Sequence, residues 1–208
     1  MSNAQSGKRI GIMGGSFNPI HYGHLMLAEQ IRTTYELDKI IFVPVGIAPH
    51  KDEDLVDNRF DRFNMTKLAI DSNPYFEVCD FEIKKASVSY SIDTVLYLKK
   101  LLQPEDSLYF ITGADAIILL DTWARREDLI KHVTFVGATR PGIDMQYFEE
   151  RIDKLKKQYG AKIEVCSIPA LAISSTDIRE RIAAGKSIKY LIPESVENYI
   201  FKKGLYQA

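Results

Sequence analysis

Arg9-Ile-Gly-Ile-Met-Gly-Gly-Ser-Phe-Asn-Pro-Ile-His-Tyr-Gly-His24 carries a short apolar run into glycines and then into two histidines. Ile10, Ile12 and Met13 read as a buried strand. Gly14 and Gly15 read as a turn whose backbone approaches a ligand without Cβ interference, and His21 to His24 as the opening of a helix that runs to about residue 35. A helix N-terminus presents unpaired N–H groups and partial positive charge, and two imidazoles on its first turn lie near one another. The segment is suited to polyphosphate. Taken singly, the glycines fit an ordinary strand-to-helix turn, and the histidines fit helix caps or a metal pair. A metal pair on a helix usually sits one full turn apart with a third ligand nearby, a pattern the sequence does not display.

Outward from this stretch the chain alternates strand and helix. Residues 39–44 are a continuous apolar run, as in a strand covered on both faces, and residues 45–52 leave it as a Gly/Pro loop. Residues 59–71 read as a helix with Phe60, Phe63, Leu68, Ala69 and Ile70 at helical spacing. Residues 76–79 and 81–83 alternate like a strand. A helix from Ser91 or Asp93 faces Val95, Leu98, Leu101 and Leu102 inward. Residues 107–112, 132–137 and 162–166 are further strands, with helices near 116–120, 126–130 and 146–159 between them. Helices at 175–184 and 194–203 close the chain. The βα alternation implies an α/β fold: an open, mostly parallel sheet with helices on both faces and a small helical C-terminal extension over about 175–208. Ligands of such sheets sit at the carboxyl ends of the strands, near the switch point.

Composition narrows the function. The 208 residues suit one domain, and 27 basic against 28 acidic residues leave no basic field for nucleic acid. A polyanion must be bound locally. The sequence has no apolar run near ~20 residues and no secretory pattern, so the expectation is a cytoplasmic enzyme without membrane partners. Cys79 and Cys166, isolated in apolar surroundings, read as buried free thiols. Residues 1–7 are polar and patternless, a disordered tail or cloning remnant.

A second motif, Ile173-Ser-Ser-Thr-Asp-Ile-Arg179, places Ser175 or Thr176 to cap a helix, or else to cradle phosphate beside the donor fork of Arg179. Pro49-His-Lys51 puts a cation on a loop, and Ser89-Tyr-Ser-Ile-Asp-Thr94 offers hydroxyls and amides at a helix start. Trp123, the single tryptophan, is able to stack on a heterocycle or to serve as an ordinary core residue. Arg140-Pro-Gly142 is a turn after a strand.

The first stretch resembles the Gly-(Ser/Thr)-Phe-(Asp/Asn)-Pro-x-His-x-Gly-His signature of the nucleotidyltransferase superfamily, and the second its Ser-Ser-Thr-x-(Ile/Leu)-Arg segment. Together with Pro49 to Lys51, Ser89 to Thr94, Gly113-Ala-Asp115, Trp123 and Arg140 to Gly142, they look like the bacterial nicotinate-nucleotide adenylyltransferase family over nearly the whole chain. That family commonly has Thr, Asp and Thr where this chain has Ser16, Asn18 and Ser91. The resemblance implies a Rossmann-like fold, with residues 8–208 as a single nucleotidyltransferase domain. It implies transfer of AMP from ATP to nicotinate mononucleotide, yielding deamido-NAD and pyrophosphate. His21, His24 and Arg179 would be catalytic. Gly14, Gly15, Ser16, Phe17, Lys51, Asp115, Arg140, Ser174, Ser175 and Thr176 would bind ATP. Ser91, Thr94, Gly113 and Trp123 would bind the acceptor. Mg²⁺ would arrive with ATP, with no protein metal ligands and no tightly bound cofactor. Adenylyl or cytidylyl transfer to nicotinamide mononucleotide, phosphopantetheine or glycerol phosphate, and a non-catalytic nucleotide sensor, remain alternatives, and a homo-oligomer is left open.

Overall fold

The computed structural model describes residues 7–47, 58–139, 144–169 and 171–207. Six strands, β1 (Arg9–Gly15), β2 (Lys39–Pro44), β3 (Phe76–Val78), β4 (Ser107–Gly113), β5 (Thr134–Thr139) and β6 (Lys162–Ser167), form one sheet ordered β3-β2-β1-β4-β5-β6. Every neighbouring pair is parallel. The winding direction reverses between β1 and β4, which opens a crevice at the carboxyl ends of those strands. This is the Rossmann-like arrangement expected.

The helices are α1 (Tyr22–Thr34), α2 (Arg59–Ile70), α3 (Phe81–Lys84), α4 (Ser91–Leu101), α5 (Ala114–Ile118), α6 (Arg126–Ile130), α7 (Met145–Tyr159), α8 (Ser175–Ala183) and α9 (Glu194–Lys203). Strand alternation divides them between two faces. Ile10, Ile12, Ile41, Val43, Leu108, Phe110 and Phe135 meet α4, α5, α6 and α7 on one side. Met13, Ile40, Phe42, Ile111, Val136 and Cys166 meet α1, α2, α8 and α9 on the other. Both cysteines are free, Cys166 buried and Cys79 half-buried. Among the described residues, no helix is long and apolar enough to cross a membrane.

Three local readings are corrected. Residues 81–83 do not continue a strand: β3 is a three-residue edge strand, and the chain then turns into α3. Phe81 stacks on Tyr97 of α4, ring centroids 4.3 Å apart, a tertiary anchor that residue alternation cannot announce. In α2 the buried positions are Arg62, Met65, Thr66, Ala69 and Ile70, while Phe60 and Leu68 are exposed. Leu101, expected inward at the end of α4, is exposed as well. Of the closing helices, α9 is bonded to α2: Ser195 Oγ donates to the Leu68 carbonyl at 3.1 Å, and the Tyr199 hydroxyl to Asp61 Oδ1 at 2.7 Å.

Phe135 lies at the centre of the first core, fully buried, with Phe110 and Trp123 packed at its ring 5.9 and 6.4 Å away between centroids. Phe135→Ala is expected to cost about 3–5 kcal/mol, read from the shift of the urea unfolding midpoint. A loss below about 1 kcal/mol would contradict this packing.

Candidate active site

The loop after β1 turns by an unusual backbone step. Phe17 is a non-glycine residue with φ of 46°, and its ring folds back into the core against Phe42 and under His24. A Cβ on Gly15 would lie 2.7 Å from that ring, so this position accepts only glycine while the ring stays put. A Cβ on Gly14, by contrast, would meet nothing within 4 Å, which leaves its backbone open to a ligand.

His21 is the residue just before the first turn of α1, and His24 sits within that turn. Their rings stack at 3.7 Å between centroids. The His21 N–H donates to His24 Nδ1 at 3.3 Å, which places the proton of a neutral His24 ring on Nε2. Burial lowers His21 from 6.5 to about 4. Burial, and then the neighbouring His21, lower His24 from 6.5 to about 3. At neutral pH both rings are therefore uncharged hydrogen-bonding groups. Either ring gains positive charge near neutral pH only where an anion stabilises it.

The two signature segments are bonded to each other. Arg179 donates to the Asn18 carbonyl at 2.8 Å and to Thr176 Oγ1 at 3.3 Å, and Ser175 Oγ donates to the Pro19 carbonyl at 2.8 Å. The residue that caps α8 is Ser174, whose Oγ accepts from the Asp177 N–H at 3.1 Å, rather than Ser175 or Thr176. The Ser175 proton is thus engaged within the protein. Asn18 is held from a third side, its Oδ1 accepting from the Tyr206 hydroxyl at 2.6 Å and from Asn58 Nδ2 at 3.3 Å.

Two cavities flank the switch point. The larger, of about 510 Å³, is lined by Gly14, Gly15, Ser16, Ser91, Thr94 and Trp123, together with apolar residues and with Glu82 and Ser89. The smaller, of about 280 Å³, is lined by Gly113, Asp115 and Thr139, by Gly23, Met26 and Leu27 of α1, and by Ile168, Pro169 and Leu171. The segment from Gly14 to Gly23 runs from one cavity to the other. Gly113, grouped from sequence with Ser91, Thr94 and Trp123, lies in the other cavity. Lys51 and Arg140 fall outside the described residues. Among the described residues, no group of three or more His, Cys, Asp or Glu side chains is placed to hold a metal ion.

Sequence reasoning passed over two buried charges here. Arg62 is 1% exposed, and its guanidinium donates to the Ser16 and Val45 carbonyls, both at 2.7 Å, and to Asn58 Oδ1 at 3.0 Å. It ties the loop after β1 to the loop after β2. The signal was present, since Arg62, Met65, Thr66 and Ala69 share one helical face. Glu82 accepts from Thr94 Oγ1 at 2.6 Å and from the Gly46 N–H at 3.4 Å, and burial raises its pKa. A Cβ on Gly46 would sit 2.0 Å from the Glu82 carbonyl oxygen, so the loop after β2 passes Glu82 only as glycine. The α3 turn that aims Glu82 inward was misread as strand, which hid it.

A doubly wound parallel sheet with a helix N-terminus at its switch point defines a nucleotide-binding α/β protein. The family model described as Cytidylyltransferase-like matches residues 12–181. A Thermoanaerobacter sp. protein described as "Probable nicotinate-nucleotide adenylyltransferase" is 51% identical over 199 residues, covering 96% of this chain and 94% of the relative. A Moorella thermoacetica protein of the same description is 49% identical, covering 96% and 92%. The solved structure of Plasmodium falciparum nicotinic acid mononucleotide adenylyltransferase complexed with NaAD superposes with a TM-score of 0.75 at 26% identity, covering 96% of this chain and 97% of that one. The chain belongs to the cytidylyltransferase-like nucleotidyltransferases, and within them to the nicotinate-nucleotide adenylyltransferase family.

The histidine pair links the site to pH. Both folded-state values lie below 6.5, so on acidification the unfolded chain takes up protons first. The stability is in place above pH 6.5 and declines as pH falls toward about 4 and 3. Between pH 7.5 and 5 the loss is expected to be on the order of 2 kcal/mol for each ring. Thermal unfolding across that range tests it, with the double variant His21→Asn, His24→Gln giving a flatter profile; an equally steep profile in the variant would refute the assignment.

Proposed function

We infer that this protein transfers AMP from ATP to nicotinate mononucleotide, releasing pyrophosphate and forming deamido-NAD. The observation that carries this reading is the pair of cavities joined by one phosphate-binding segment, an arrangement suited to two nucleotides meeting at the switch point. The whole-length likeness to proteins described as nicotinate-nucleotide adenylyltransferases supports the choice of donor and acceptor.

The phosphate of nicotinate mononucleotide is already ionised at neutral pH, so its oxygen attacks the α-phosphorus of ATP without a general base. One P–O bond forms, the bond from the α-phosphorus to the bridging oxygen breaks, and pyrophosphate leaves with that electron pair. Catalysis is positioning and neutralisation of charge. In this reading His24 donates from Nε2 to the reacting phosphate and His21 assists it, and phosphate binding raises both pKa values from their low starting points. The Gly14 and Gly15 backbone and Ser16 support the same phosphates. Arg179 has further N–H donors beyond those on Asn18 and Thr176, and Ser174 and Thr176 stand beside it, with Lys51 and Arg140 as added cations. Ser175 contributes indirectly, by fixing Pro19. Asp115 and Gly113 belong with the adenosine in the smaller cavity. In the larger one, Trp123 stacks on the pyridine ring and Ser91 receives its carboxylate. The donor set suits Mg²⁺ held by the triphosphate and water, where it would screen the leaving pyrophosphate.

Purified protein given Mg²⁺, ATP and nicotinate mononucleotide is expected to release pyrophosphate and form the dinucleotide, scored by product mass. Absence of both products would sink the reading, and a higher kcat/KM for nicotinamide mononucleotide would reassign the acceptor. His24→Ala is expected to lower kcat by ~10²-fold or more; wild-type turnover in that variant would remove His24 from the mechanism.

A further inference from the structure

Ser89 stands out among the residues lining the larger cavity. It is 6% exposed, and its Oγ has no hydrogen-bond partner. Buried hydroxyls are ordinarily paired with protein, water or ligand, and one left unpaired is unfavourable. The backbone there is pinned, with the Ser89 N–H donating to the Ile47 carbonyl at 3.1 Å and Val88 bridging to Ile47, so the point from which the side chain springs is held in place.

The neighbouring hydroxyl behaves differently. Thr94 is 2% exposed and donates its one proton to Glu82 Oε1 at 2.6 Å. That bond satisfies a buried carboxyl and braces the cavity wall, and it leaves Thr94 nothing to donate to a ligand. Much of the remaining lining is apolar: Ile12, Val43, Val45, Phe110 and Ala116. An unpaired donor springing from a pinned backbone in such a wall is the kind of polar group that orients a ligand in an otherwise apolar pocket.

We propose that Ser89, in place of Thr94, is a hydrogen-bond donor to an oxygen of the acceptor nucleotide, while Thr94 positions Glu82 and the wall. The proposal rests on the larger cavity being the acceptor site. It makes Ser89 a residue selected for the complex at the expense of the free protein.

The test measures KM for ATP and for each of nicotinate mononucleotide, nicotinamide mononucleotide and phosphopantetheine, and reads Ser89→Ala on whichever acceptor the wild type uses best. The acceptor KM is expected to rise about 10-fold or more, with the ATP KM within about twofold. The melting temperature of the free variant should be unchanged or higher, because the hydroxyl has no bond to lose. Ser89→Cys, which keeps the volume and weakens the donor, should fall between. Thr94→Val should lower the melting temperature, since it strips Glu82 of its closest partner. Preference for a different acceptor would overturn the function proposed above and leave the Ser89 test standing. Unchanged acceptor KM in both Ser89 variants, or an equal rise in the ATP KM, would overturn the role of Ser89. A wild type that uses none of the three would overturn both.

Discussion

The carbonyl oxygens of Asn18 and Pro19 hold the site together. They lie on the loop after β1, and they accept from Arg179 and Ser175, residues 161 and 156 positions away. A β1 loop alone would be one of several strand-to-helix connections in a doubly wound sheet. Tied to the start of α8, it becomes a fixed floor between two cavities. Each donor also lies in the second signature segment, so the two signatures are joined directly by hydrogen bonds. In the free protein the Arg179 guanidinium meets a neutral carbonyl oxygen, while the two stacked histidines are uncharged at neutral pH.

Arg62 and Glu82 extend the same logic to the loop after β2. A guanidinium takes carbonyls from Ser16 and Val45, and a carboxyl takes the Gly46 amide, so a cation and an anion grip adjacent residues of one loop. Burying either charge is unfavourable in itself, and loss of either one would leave its partners without water or replacement. The loops that line the larger cavity are therefore joined to α2 and α3 by bonds between side chains and backbone.

Much of this could be read from the chain. The sheet, its parallel sense and the helices on both faces follow from apolar runs alternating with helical spacing, and the two signatures named the family. What escaped has a common cause. The turn at Phe81–Lys84 is set by a ring stacked on Tyr97, and the inward face of α2 is set by Arg62, whose polar head finds its partners on other elements. Hydrophobic periodicity treats arginine and glutamate as surface, so it marked the helix by Phe60 and Leu68, which are exposed, and left the buried charges out. The protonation state of the histidines was likewise invisible, because it depends on burial and, for His24, on the closeness of His21.

The Tyr206 hydroxyl is bonded to Asn18 Oδ1 across 188 residues. Contacts this distant in sequence form late, after the chain between them has collapsed. The loop after β1 gains this brace only when Tyr206 has come back to it, whereas Asn58 and Arg62 reach it from much nearer in the sequence. The bond on Asn18 is thus also one that ties the helical extension back to the carboxyl end of the first strand.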